Sequence, residues 1–440
     1  MSTPPAITTP ARLGGPRRGL AAITLCAVAG LLATACSGGT GSSTAGGGSS
    51  HSGSPKASKS AAPKLATITP ASGGKNVPPG QGITITAEHG SKLTSVTVRA
   101  GGGPVSGTMN AAHTTWHSKW TLAVSTHYNV SATASQAGGK PVTTTSSFST
   151  LRPAATAQAM IFEGYHATYG VGMPIMLTFS HPVTNKAAVE RALQVTTSKP
   201  VVGAWSWDTD TTLSFRPREY WPAHTQVTFT GHLNGVEFAP GVYGNHTLTQ
   251  SFSIGRSLIV VASTASHHMR LYRNGQLYRR WPISTGRPGD NTPNGTYLTI
   301  DKGNPVLMKG PGYKLEVPWS VRFTWSGDYL HDAYWSVGQQ GFTNVSHGCV
   351  NMAPADAQAY YKMEYPGDPV TVTGSPRAGQ WDNGWTQWFL TWQKFLKGSA
   401  LHEAVEAGPN GSKFVSPSAL PAMSGSAPLS HPDPNNWSAA

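Results

Sequence analysis

The chain has 440 residues, a formal net charge of +13, 50 glycines, 34 prolines and only three cysteines. So few cysteines exclude a disulfide framework, and the positive surplus favours anionic partners such as wall polymers, peptide carboxylates or anionic lipids. Nucleic acid is argued against, because no basic run with interleaved aromatic residues occurs.

Residues 1–35 carry Arg12, Arg17 and Arg18, then an apolar run from Leu20 to Ala35, with no acidic residue. This reads as an export signal. An uncleaved signal anchor is the alternative, since the run is near the lower length limit for a spanning helix. The stretch ends in Leu32-Ala33-Thr34-Ala35-Cys36. It looks like a bacterial lipobox, with Cys36 acylated and holding the mature chain on the outer face of the cell membrane, towards the wall. Plain signal cleavage is the alternative, because Ala33 stands where leucine is usual. Residues 36–65 are mostly Gly, Ser, Ala and Lys and read as a flexible tether.

Residues 66–151 show short alternating runs such as Ile83-Thr84-Ile85-Thr86, broken by Gly and Pro clusters, the pattern of a β-sandwich. Tyr128 sits where an immunoglobulin-like fold places its tyrosine corner. Residues 152–256 repeat the pattern around a short helix, which Asn185 can cap. The two segments close alike, on Ser147-Phe148-Ser149 and Ser251-Phe252-Ser253. Two tandem immunoglobulin-like domains are expected, with Trp116, Trp120, Trp205, Trp207 and Trp221 read as core residues rather than sugar platforms.

Residues 257–375 begin with strand-like runs, two of them joined by an Asn274-Gly275 hairpin turn. Residues 302–325 are poor in strand pattern and read as a long functional loop. His331 follows. Fourteen residues separate it from Ser346-His347-Gly348-Cys349-Val350-Asn351, a spacing that suits two adjacent strands joined by a loop. Cys349 is left without a disulfide partner, since Cys26 lies in the signal and Cys36 in the lipobox. A nucleophilic thiol needs an imidazole to take its proton, and the N–H groups of Gly348 and Cys349 could stabilise an oxyanion. Pro354 and Asp356 mark the start of a helix just beyond the motif.

His331, the fourteen-residue interval and the Ser-His-Gly-Cys-Val-Asn run together resemble the signature of the L,D-transpeptidases of bacterial cell walls. The resemblance covers roughly residues 257–397. It implies a mainly β fold, with two immunoglobulin-like spacers, a β-sandwich-like catalytic domain with a short helix, and a helical C-terminal extension. It further implies Cys349 as nucleophile, His331 as base, the Asp332 backbone carbonyl as third partner, and Gly348 in the oxyanion hole. The loop at 302–325 becomes an active-site flap carrying Tyr313 to the substrate, with Trp335, Ser346, His347 and Asn351 also shaping the substrate site. The implied reaction is 3-to-3 cross-linking of peptidoglycan stem peptides through a thioester, without cofactor or metal, and family members are acylated by carbapenems.

Asp332 stands where small residues are common, and Asn351 where many relatives have arginine. An L,D-carboxypeptidase using the same residues and a non-enzymatic wall-binding lipoprotein are the rival readings. A metal site from His331, His347 and Cys349 lacks a fourth ligand. Past Gly374, Trp381, Trp385, Trp388 and Trp392 recur with Phe389 and Phe395 at helical spacing. A Trp-rich helix over 376–397 is therefore expected, then a disordered tail over 398–440, in a monomeric chain.

Overall fold

The computed structural model describes residues 64–310 and 312–420. Cys36, the export signal, the tether as far as residue 63 and residues 421–440 lie outside the described residues, and Leu65, the last tether residue, is buried in the first sandwich core. The fold is mainly β, as expected.

Residues 66–149 form two four-stranded sheets. Strands Ala66–Thr69, Thr84–Ala87, Thr115–Ser118 and Gly107–Met109 make one; Gly103–Pro104, Lys92–Ala100, His127–Ser135 and Val142–Ser149 make the other. Strict alternation drives this: Tyr128, Val130, Ala132 and Ala134 are buried along one strand, and the residues between them are not. The Tyr128 hydroxyl accepts the Ala123 N–H at 2.7 Å, and its ring stacks on Phe148 at 5.3 Å. That is the tyrosine corner anticipated from the sequence.

The second sandwich repeats the device. Tyr169 accepts the N–H of Gly164, again five residues upstream, at 2.8 Å, and its ring meets Phe252 edge-on at 5.7 Å. Trp116, Trp205 and Trp221 are buried, while Trp120 and Trp207 are partly so. Helix Lys186–Arg191 is present, but Asn185 makes no side-chain cap; its backbone carbonyl receives the N–H groups of Ala188 and Val189 instead.

Three expectations are corrected here. No continuous helix spans 376–397: only Gln387–Phe389 and Trp392–Lys397 are helical. Gly384 adopts φ +135° and each ring packs in a different place, with Trp385 against Phe162 and Trp325, and Trp388 against Tyr220. The tail is ordered as far as Leu420. Ala404–Gly408 and Gly411–Val415 extend the second sandwich's six-stranded sheet beside Val201–Trp207. Buried Glu190 fixes this return by accepting bonds from Ser399 Oγ at 2.6 Å and Ala400 N–H at 2.7 Å. Finally, 302–325 is not strand-poor, since Val306–Gly310 and Tyr313–Val317 pair as a hairpin. Its alternation is weak in sequence because the hairpin overhangs the cleft with little core of its own.

The last domain holds a five-stranded sheet in the order Gln276–Pro282, His268–Arg273, Leu258–Ser263, Pro369–Thr373, Gly295–Leu298. A four-stranded sheet runs Lys302–Gly303, Ser320–Arg322, Tyr329–Asp332, Val350–Met352. Helix Pro354–Met363 buries Ala357 and Tyr360 against the same core as Leu258, Val350 and Val370. Gly170 and Gly172 let the second sandwich approach the 367–369 turn; a Cβ on Gly170 would stand 2.3 Å from the Asp368 nitrogen. Beside that junction Arg256 grips the Asp368 carboxylate through both guanidinium nitrogens, at 2.9 and 2.7 Å.

Candidate active site

Two parallel strands bring the thiol and the imidazole together. Leu330, His331 and Asp332 pair with Val350, Asn351 and Met352, so the residue just before the second strand, Cys349, lies beside the start of the first. The turn into that strand is tied at several points. Ser346 Oγ donates to the Cys349 carbonyl at 2.6 Å and accepts the Gly348 N–H at 3.2 Å. Thr292 Oγ1 donates to the Gly348 carbonyl at 2.6 Å while accepting the Gly286 N–H at 2.9 Å. The Ser284-Thr285-Gly286 and Thr292-containing segments are thus the frame of this loop, through bridges from Ser284 to Asn351 and from Gly286 to Ser346.

Gly348 is required twice over. Its φ is +130°, and a Cβ there would stand 2.5 Å from Asp328 Oδ1. Because its N–H is engaged by Ser346, the expected oxyanion donor pair is not fully free in the resting site.

His331 is buried. Its Nδ1 lies 2.7 Å from the Asp332 carbonyl oxygen, which can only accept, so Nδ1 carries the proton and Nε2 is an open acceptor. Burial lowers the imidazole pKa to about 4, against a smaller upward push from that carbonyl. The Asp332 carboxylate is engaged by the N–H of Tyr334, and its Oδ1 has no hydrogen-bond partner among the described residues. Cys349 is half-buried, and its thiol donates to the Gly327 carbonyl at 3.8 Å rather than to the imidazole. Burial pushes this thiol up to about 12, with the Asp328 charge adding to the rise and the Tyr329 N–H opposing it. At neutral pH both partners are therefore uncharged.

Cys349 and His331 share a cleft of about 420 Å³ with Tyr313, Trp335, Ser346, His347 and Asn351. Tyr313 reaches over from the hairpin and stacks on exposed His347 at 5.0 Å. Trp335 stands beside His331 at 5.9 Å. Asn351 is buried and gives its amide to Ser336 Oγ at 3.0 Å. A groove of about 520 Å³ between Pro200–Val202 and Glu406–Lys413 carries no thiol or imidazole. Among the described residues no group of three His, Cys, Asp or Glu side chains converges as a metal site. Asp328 was missed from sequence, where it is one acid in a loop without a motif.

Fold and cleft together define a modular β-protein: immunoglobulin-like sandwiches leading to a domain whose cleft holds a thiol and a neutral imidazole. The family described as bacterial Ig domain matches residues 74–237, and that described as L,D-transpeptidase catalytic domain matches 257–372. L,D-transpeptidase 2 of Mycobacterium tuberculosis (strain CDC 1551 / Oshkosh) is 30% identical over 324 residues, covering 70% of this chain and 79% of the relative. L,D-transpeptidase 5 of M. tuberculosis (strain ATCC 25618 / H37Rv) is 32% identical over 347 residues, with 76% and 77% covered. The solved structure of LD transpeptidase LdtMt1 in complex with imipenem is 36% identical, covering 49% of this chain and 97% of that one, at TM-score 0.42. The chain belongs to the L,D-transpeptidase family, enzymes that act on peptidoglycan.

Proposed function

We propose that the chain cross-links peptidoglycan stems by cysteine acyl transfer. The observation that carries this reading is the open Nε2 of His331 in the same cleft as the Cys349 thiol. His331 Nε2 takes the thiol proton as the sulfur attacks the carbonyl of the third residue of a tetrapeptide stem. The oxyanion faces the Cys349 N–H and, once Ser346 Oγ releases it, that of Gly348. The proton returns to the amine of the departing D-alanine, leaving a thioester on Cys349. The side-chain amine of a second stem's diamino acid then attacks, giving a 3-to-3 link. Tyr313 and Trp335 form walls for the donor stem, with Ser346, His347 and Asn351 shaping its floor. The Asp332 carbonyl fixes the His331 tautomer, a backbone role for which its side chain is not needed. We further place the enzyme outside the cytoplasm, held to the membrane by acylated Cys36 and acting as a monomer.

Intact mass of the full chain after incubation with a carbapenem tests the central step. A single covalent adduct is expected, absent in Cys349→Ala; a folded parent without adduct would sink the acyl-transfer reading.

A further inference from the structure

We infer that Asp328, together with the Gly327 carbonyl, captures the cationic amine of the acceptor stem and so favours amine over water as the second nucleophile. This rests on the acyl-transfer reading above.

The donor cleft, with Tyr313, Trp335 and His331, lies on one side of Cys349. Gly327 and Asp328 are not part of its lining, and Asp328 is only 7% exposed beside the nucleophile loop. The Gly327 carbonyl is 3.8 Å from the sulfur. Asp328 Oδ1 points at Gly348 so closely that any side chain there would collide with it. On this reading the incoming amine, with the donor cleft filled by the acyl chain, reaches the thioester past these two oxygens.

The Asp328 carboxylate is rigid. Its Oδ2 accepts from Thr324 Oγ1 at 2.7 Å and from Ser326 Oγ at 3.1 Å. Ser326 is braced in turn by Asn383, which accepts its N–H at 2.8 Å and donates to its Oγ at 2.9 Å. With Oδ2 so engaged, Oδ1 is directed towards the Gly348 turn. Burial is the main reason the Cys349 thiol is raised, and the Asp328 charge adds to it, opposing thiolate formation in the first half-reaction. That charge favours a cation in the second. An alkylamine, with an ordinary pKa near ~10.4, arrives as an ammonium. Three N–H groups of that ammonium need acceptors, and a carbonyl with a carboxylate oxygen supplies two by charge-assisted bonds.

Asp328 captures and orients; it is not the base. The ammonium gives up two protons in the step. One goes to solvent, and one goes to His331 Nε2, which returns it to the Cys349 sulfur as the new C–N bond forms and the C–S bond breaks. Water carries no charge for Asp328 to hold, so hydrolysis gains nothing from it.

The test titrates an acceptor tetrapeptide against a fixed donor tetrapeptide with the full chain, counting cross-linked dimer and hydrolysed tripeptide by mass. Asp328→Asn keeps the size and the acceptor oxygen of the side chain. It should raise the acceptor KM by at least about tenfold and lower the dimer-to-tripeptide ratio as much, the weight of a charge-assisted bond. Carbapenem acylation should run at the parental rate or faster, which a merely disordered loop would not allow. On the unaltered protein, an acceptor whose amine is replaced by hydroxyl should inhibit dimer formation with a Ki at least about tenfold above the KM of the amine. Normal acylation of Asp328→Asn with unchanged KM and ratio overturns the inference, as does equal binding of the hydroxyl analogue or a parent that yields tripeptide alone. A parent that forms no carbapenem adduct removes the acyl-transfer reading, and this inference with it.

Discussion

Titrating the thiol of the folded enzyme should reveal no thiolate at neutral pH. With the Cys349 thiol at about 12 and the His331 imidazole at about 4, moving the proton from sulfur to nitrogen in the resting site is uphill by on the order of 10 kcal/mol. Water entering the half-open cleft screens part of that, but a wide margin remains. At pH 7 the thiolate fraction is about 10⁻⁵ and the imidazolium fraction about 10⁻³. The proton must therefore move together with the attack on the carbonyl rather than before it. Absorbance near 240 nm, taken as parent minus Cys349→Ala, should show no step below about pH 9. Alkylation by iodoacetamide should be slow and rise with hydroxide, because that reagent meets only the thiolate. Carbapenem acylation should be flat above about pH 5 and fall as His331 protonates near pH 4. A thiolate step with a midpoint between about 4 and 7 would show a preformed ion pair and refute the reasoning.

Two further outcomes test the scaffold. Glu163 in the second sandwich is buried, and burial raises its carboxyl pKa to about 8, against smaller downward pulls from backbone bonds that include the Met176 N–H. Its folded-state pKa exceeds the unfolded one, so its contribution to stability is greatest at low pH and falls as pH climbs from about 4.5 to about 8. Glu163→Gln should remove a loss of up to about 5 kcal/mol across that window; a thermal-melt difference between the two proteins that does not change with pH would contradict it. Ending the chain after Lys397 removes the Ser399, Ala400 and Leu401 donors of buried Glu190 and the strand beside Val201–Trp207. Trp207 Nε1 still donates to Glu190 Oε1 at 2.8 Å, and the loss of the other donors costs about 1–3 kcal/mol. Urea unfolding should place this truncation far below a chain ending at Leu420, and equal midpoints would deny the tail its structural role.

Short-range chemistry made much of the molecule legible. Alternating Val, Thr and Ile specify strands wherever one face is buried, and Tyr128 with Phe148 marks a sandwich corner within one hairpin. His331 and the Ser346–Asn351 run are readable because neighbouring parallel strands carry them, so that a fixed interval in sequence becomes a fixed distance in space. The Trp-rich segment misled for the opposite reason. Its three-to-four-residue spacing mimics a helix, yet Trp385 meets Phe162 and Trp325, and the Arg216 guanidinium lies over Trp388, Trp392 and Phe395 at 4.4, 5.8 and 4.5 Å.

Residue types, the motif and its interval, and the order of domains were determined by the sequence alone. Tertiary structure decided the rest. The return of 404–415 to the second sandwich depends on Glu190, more than two hundred residues earlier in the chain. The neutral state of the thiol and imidazole follows from burial, which no local pattern reports. Asp328 joins the nucleophile loop only because Gly348, twenty residues on, has no side chain to keep it away.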